Sequence, residues 1–175
     1  KTEMPAPIDI TEQSFNGREK ISRRMTPIKV GFMGYRTVPV GHDDEGALAL
    51  SLQLLTNESK TGLIDELVVD RKIMEAGAFN MDYVDMGAAN FYFLPKLFFQ
   101  SLTKAENLVR GQIDKLKSGD FDDEYFNAVK LTMVRQHEEY IESMEGRLFI
   151  LADLFTKNKS WEDIVEWPGI LKNIS

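Results

Sequence analysis

Gly77-Ala78-Phe79-Asn80-Met81-Asp82-Tyr83-Val84-Asp85-Met86-Gly87-Ala88-Ala89-Asn90-Phe91-Tyr92-Phe93-Leu94 is the stretch on which the fold turns. Phe79, Met81 and Tyr83 share one face while Asn80 and Asp82 take the other, which is the period of two of a β-strand. Gly87 then turns the chain into an aromatic-rich run stopped by Pro95, so the stretch predicts an antiparallel hairpin. Upstream, Pro27 opens the short apolar run from Ile28 to Tyr35. Its continuous hydrophobicity predicts a central strand buried on both faces.

Helical spacing fills the rest of the chain. Ala47, Leu48, Leu50, Leu52, Leu54 and Leu55 predict a helix from about Asp43, whose acidic first turn suits the positive end of the helix dipole. Leu63, Ile64, Leu67 and Val68 predict a short second helix capped by Thr61. Thr103 with Glu106 has the spacing of a capping box ahead of the stripe Ala105, Leu108, Val109, Ile113 and Leu116, which ends near Gly119. Asp122 opens a longer helix through Phe126, Val129, Met133, His137, Tyr140 and Met144. Leu148 to Phe155 predicts a buried helix, and Ser160 with Asp163 caps a last one carrying Trp161 to Trp167 before Pro168. Strand, helix, helix, strand, strand and then helices make an α+β fold, a mainly antiparallel sheet covered by helices with a ferredoxin-like flavour. A doubly wound nucleotide fold would need glycine-rich phosphate loops that Gly31, Gly34 and Gly41 do not reproduce.

The 175 residues suit a single domain or half of a larger two-lobed protein, and the formal charge of -7 disfavours nucleic acid and anionic lipid. The same charge favours a basic peptide. Without cysteine there is no disulfide framework, thiolate zinc cage, iron–sulfur cluster or cysteine nucleophile. No stretch approaches the ~18 to 20 apolar residues of a membrane span. A start at Lys1 reads as that of a processed or excised piece, so no compartment is assigned. Residues 1–25 read as a linker or edge strand, and 26–175 as one α+β domain.

Chemistry-bearing motifs are sparse. His42-Asp43-Asp44-Glu45 has the H-x-x-E beginning of an inverted zinc motif, but position 46 is Gly, and the acids read as solvated residues of a helix start. His137 is followed at position 141 by Ile rather than the second His of a zincin, so it reads as part of the apolar stripe. Ser51 and Ser59 lack the G-x-S-x-G elbow. Arg36 and Tyr92 remain as substrate-binding candidates, able to offer donors to a ligand carbonyl or carboxylate. No catalytic or metal-ligating residue is assigned.

Several stretches together resemble one family. Val30-Gly31-Phe32-Met33-Gly34-Tyr35-Arg36 through Pro39, His42-Asp43-Asp44 and Ala47-Leu48 is similar to the opening of the non-catalytic half of pitrilysin or insulinase-like zinc metallopeptidases, relatives of the mitochondrial processing peptidase. Thr61-Gly62-Leu63-Ile64-Asp65-Glu66-Leu67 resembles the family's S/T-G-R-L-x-x-x-L turn, with Leu63 where an Arg is often found. Asn107 to Lys117 followed by Gly119-Asp120-Phe121-Asp122-Asp123-Glu124 resembles a third passage. The resemblance spans roughly residues 19 to 165.

This resemblance implies half of a larger two-lobed peptidase, with the H-x-x-E-H motif and the zinc in the parent's catalytic domain and no cofactor in this segment. Its implied partners are the catalytic half, of the same protein or a homologous subunit, and a peptide substrate. Related proteins contact substrate through an Arg/Tyr pair from this half, with which Arg36 and Tyr92 are not aligned. The alternative is a non-enzymatic binding or assembly module from a degenerate peptidase homologue.

Overall fold

The computed structural model describes residues 17–24, 27–157 and 159–175. Among these the elements are, in chain order, β1 (Gly31–Thr37), α1 (Glu45–Leu55), α2 (Asp65–Val69), β2 (Glu75–Asp82), β3 (Gly87–Leu94), α3 (Leu102–Ser118), α4 (Asp123–Glu142), α5 (Met144–Lys157) and α6 (Trp161–Asn173). The α+β class and the antiparallel hairpin are as expected. Most of the linker or edge strand expected over 1–25 lies outside the described residues, and 17–24 form neither helix nor strand.

The sheet has the order β1-β3-β2, both pairs antiparallel, so the central strand is β3 and not the run after Pro27. That run is an edge strand buried on one side only: Met33 is 8% exposed and its neighbour Phe32 71%. The central strand carries large rings on both faces, and glycines beside it make room. A Cβ on Gly77 of β2 would stand 2.6 to 2.7 Å from the Tyr92 ring, and one on Gly31 of β1 would collide with the Phe93 ring.

In β2 the period of two holds, but the large residues face away from the helices. Phe79, Met81 and Tyr83 are exposed, while Ala76 and Ala78 face the core. Small side chains on that face let α1, α2 and α3 come down onto the sheet. Leu55, Ile64 and Leu67 and, from α3, Ala105, Val109 and Ile113 pack there against Met33, Phe91 and Phe93. Each fully buried large aliphatic side chain contributes about 1.5 to 3 kcal/mol.

Asp65 ties the layer together. Buried beneath the 56–62 loop, its Oδ2 accepts from the backbone N–H of Asn57 at 2.9 Å and of Gly62 at 3.2 Å, and Lys60 Nζ lies 3.6 Å from Oδ1. Thr61 is therefore no cap of α2; its hydroxyl and backbone N–H donate to Asn57 Oδ1. Tyr125 of α4 reaches the same loop, donating to the Leu54 carbonyl at 3.0 Å.

The helix predicted to run from Asp122 through Met144 breaks at Ser143. There the backbone is extended and Ser143 Oγ accepts from the N–H of Gly146 at 2.9 Å. A Cβ at Gly146 would run into the Tyr140 carbonyl, so glycine permits the close turn. The following helix, α5, is not buried as expected, since Leu148, Phe149, Leu151 and Phe155 are all more than half exposed.

In α6 the expected Ser160–Asp163 capping box is present, and it holds the Asp163 carboxyl below its ordinary pKa through hydrogen bonds from the Ser160 backbone and side chain. The helix then continues through Pro168, which has no N–H to give the Ile164 carbonyl one turn back. His137 of α4 supplies the missing donor, its Nε2 lying 2.8 Å from that oxygen. This hydrogen bond requires the Nε2–H form of the ring. His137→Ala should cost about 1 to 2 kcal/mol in urea unfolding. In a Pro168→Ala background, where residue 168 regains its N–H, the same substitution should cost about half as much or less. Equal costs in the two backgrounds would contradict the pairing.

Candidate functional site: the open face and edge of the sheet

Antiparallel partners point to the same side of a sheet, so the register assigns the outer face row by row. Phe32, Tyr92 and Gly77 form one row, Gly34, Asn90 and Phe79 the next, and Arg36, Ala88 and Met81 the third. With Phe32 71%, Phe79 46% and Met81 42% exposed, no described element covers this face. The sheet thus has a helical side and a bare apolar side. A contiguous apolar surface rimmed by polar groups is the mark of an interaction site.

Arg36 and Tyr92 both lie on this face but do not converge. Four residues of strand separate their rows, about 13 Å at a rise of ~3.3 Å per residue. Asn90 stands between, its Nδ2 donating to the Ala88 carbonyl at 3.0 Å. Sequence reasoning selected this polar pair and missed Phe32, Phe79 and Met81, because large apolar side chains at strand spacing read as core.

A second feature lies along the outer edge of β1, where residues 17–23 and 30–36 wall a groove of about 620 Å3. Its base is Glu106 of α3, only 6% exposed. Arg18 donates to Oε1, Lys20 Nζ is 3.6 Å from Oε2, and Arg110 Nε is 3.0 Å from Oε1. Arg110 also donates to the Tyr35 hydroxyl at 3.1 Å, linking the cluster to β1. Burial works to raise the Glu106 pKa, but the Arg110 hydrogen bond and the charges of Arg18, Lys20 and Arg110 outweigh it and hold the carboxyl below its ordinary value. Glu106 is therefore not the far end of a capping box. Ser101 caps α3, accepting from the N–H of Lys104 at 3.1 Å. An acid within the stripe of Ala105, Val109 and Ile113 was the available clue.

The histidines stay apart from both features. His42 Nδ1 accepts from the backbone N–H of Asp44 at 3.1 Å, beside a pocket of about 530 Å3. In that pocket Lys159 Nζ lies 2.7 and 2.8 Å from the two oxygens of Glu45. Among the described residues no group of three or more His, Asp or Glu side chains is arranged to hold a metal ion. No helix among them is long and apolar enough to cross a membrane.

The family described as the peptidase M16 inactive domain matches residues 1–133. The chain belongs to that family. No curated protein matches the sequence. Solved structures share the fold of this M16 inactive domain at low identity. A protease from Helicobacter pylori is 20% identical with a TM-score of 0.74 over 83% of the present chain. The inactive peptidase domain of a putative zinc protease from Bordetella parapertussis is 16% identical with a TM-score of 0.69, covering 89% of this chain and 84% of that one. A putative zinc protease from Bordetella pertussis Tohama I is 18% identical with a TM-score of 0.68, covering 83% and 79%. The chain spans 35% of the length of the H. pylori protease. The α+β architecture and the non-catalytic character expected from the sequence accord with these matches.

The Glu106 cluster yields a pH dependence of defined sign. A carboxyl whose folded pKa lies below its unfolded value adds stability above the unfolded value, about 4.3, and loses it as pH falls through the folded one. Glu106→Gln should therefore destabilise the M16 domain at pH 7 by about 1 to 3 kcal/mol in urea unfolding. The gap to the natural sequence should close as pH is lowered below about 4. A gap independent of pH would contradict the assignment.

Proposed function

We propose that this chain is the non-catalytic, substrate-enclosing half of a zinc-dependent endopeptidase, and that peptides are hydrolysed only when a domain carrying H-x-x-E-H joins it. The observation that carries the reading is the bare apolar face of the sheet, with Phe32, Phe79 and Met81 turned away from the helices. Membership of an inactive-domain family within the peptidases supports it. Neither histidine fits a zinc site: His42 is engaged by its own helix start and His137 by the Ile164 carbonyl. Zinc belongs to the partner domain, where it would supply the activated water.

This chain's part is to bind, orient and exclude water. Apolar contact with Phe32, Phe79 and Met81 would desolvate a peptide lying over the face, which strengthens polar interactions made there. Tyr92 and Arg36 offer hydrogen-bond donors at the two ends of it. Their separation of about 13 Å corresponds to four residues of an extended peptide, so they would contact different parts of one substrate.

The test is reconstitution with a separately purified H-x-x-E-H domain of the same protein and a fluorogenic peptide. Neither component alone should cut, and the mixture should. Phe32→Asp in this chain should lower kcat/KM about tenfold, equivalent to about 1.4 kcal/mol, while the zinc content of the catalytic domain stays the same. Chelator-sensitive hydrolysis by this chain alone, or full hydrolysis by the catalytic domain alone, would overturn the proposal. A mixture that binds peptide without cutting it would favour the non-enzymatic binding module.

A further inference from the structure

The outer edge of β1 has no strand beside it among the described residues, since β1 pairs only with β3. An edge strand presents backbone N–H and C=O groups that pair readily with an extended chain, and proteins commonly cover such edges. Here residues 17–23 run alongside at the distance of a groove, and no backbone hydrogen bond joins 17–24 to β1. What tethers this strap is ionic: Arg18 and Lys20 on the buried carboxylate of Glu106. All of its residues from 17 to 24 are exposed.

The charge of the groove opposes that of the chain. Its walls carry Arg18, Lys20, Arg23, Arg36 and Arg110 against the two carboxylates of Glu19 and Glu106, whereas the whole chain is at -7. Glu106 offsets part of the charge of Arg18, Lys20 and Arg110, which pair with it, and the lining keeps an excess of three cations over carboxylates. The basic peptide expected from net charge is thus the wrong sign for this surface, because the field at a groove follows the side chains that line it.

We propose that the groove takes an extended acidic peptide segment, which adds a strand to the outer edge of β1 while the cationic strap closes over it. Backbone pairing gives the segment its direction and register, as in other cases of strand addition. The strap supplies selection for acidic side chains by charge complementarity. Tyr35, held by Arg110, and Glu106 fix the floor of the groove, so the strap moves over a rigid base. This inference rests on the peptide-handling reading above, but it concerns the strand edge, which adjoins the sheet face and shares Phe32 and Arg36 with it.

The test uses the full 175-residue chain with no catalytic domain present, so its outcome is independent of reconstituted hydrolysis. Three fluorescein-labelled decapeptides are compared by polarisation: alternating Glu and Val, alternating Lys and Val, and the acidic one N-methylated at every second residue. The acidic peptide should bind about tenfold more tightly than either of the others, and added salt should weaken it. Amide exchange over Gly31–Thr37 should slow about tenfold on binding. Arg23→Glu, which leaves Glu106 and its partners untouched, should weaken the acidic peptide about threefold or more, and the pair Arg18→Glu with Lys20→Glu about tenfold. Equal binding of the N-methylated peptide, preference for the basic one, or unchanged exchange over β1 would overturn the proposal.

Discussion

Helices rest on one side of this sheet because alanines of β2 and β3 leave room there beside the rings of the central strand. Ala76, Ala78 and Ala89 leave room for Leu55, Ile64 and Leu67 to descend between the rings of Phe91 and Phe93. The opposite side carries Phe32, Phe79, Met81 and Tyr92 at the alternate positions of the same strands. A three-stranded sheet with large apolar groups on both faces can bury only one of them with the helices available to it. Among the described residues the bare face follows from that choice, and the open edge of β1 from the strand order β1-β3-β2.

Polar groups inside the fold are spent on holding it. Asp65 gathers the backbone of the 56–62 loop, Tyr125 ties that loop to α4, and His137 satisfies the carbonyl that Pro168 leaves without a donor. Lys130 reaches from α4 to the last carbonyls of α6, donating to Ile174 at 2.6 Å. Each of these side chains would look functional in a bare list of titratable residues. Their partners show them to be the account of buried backbone groups that every compact fold must close.

Much of this was legible in the residues. The hairpin, the helical order, the αL glycine ending α3 and the Ser160–Asp163 box are local, and local sequence encodes them. What failed were the steps that depend on tertiary placement. A continuous apolar run cannot distinguish a strand buried on both faces from an edge strand with one bare face, which is why β1 was placed at the centre. Alternation in β2 gave the period but not which face meets the helices, since that is decided by the alanines opposite Phe91 and Phe93. Glu106 fitted a capping pattern on spacing alone, while two of its three partners, Arg18 and Lys20, lie more than eighty residues away. Arg36 and Tyr92 were singled out as donors that could meet on one ligand group, and it is strand register, invisible in residue type, that separates their rows by four positions.

In the function proposed above, chemistry sits in a companion domain, and the sheet face that the described helices leave bare shapes the space around the peptide. The most direct measurement is photo-crosslinking with p-benzoylphenylalanine placed at position 32, on the outer face of β1, in the assembled two-domain protein with a peptide substrate. The account predicts covalent capture of the peptide or of the facing surface of the H-x-x-E-H domain. Position 32 left uncaptured in an assembly that is actively cutting peptide would contradict it.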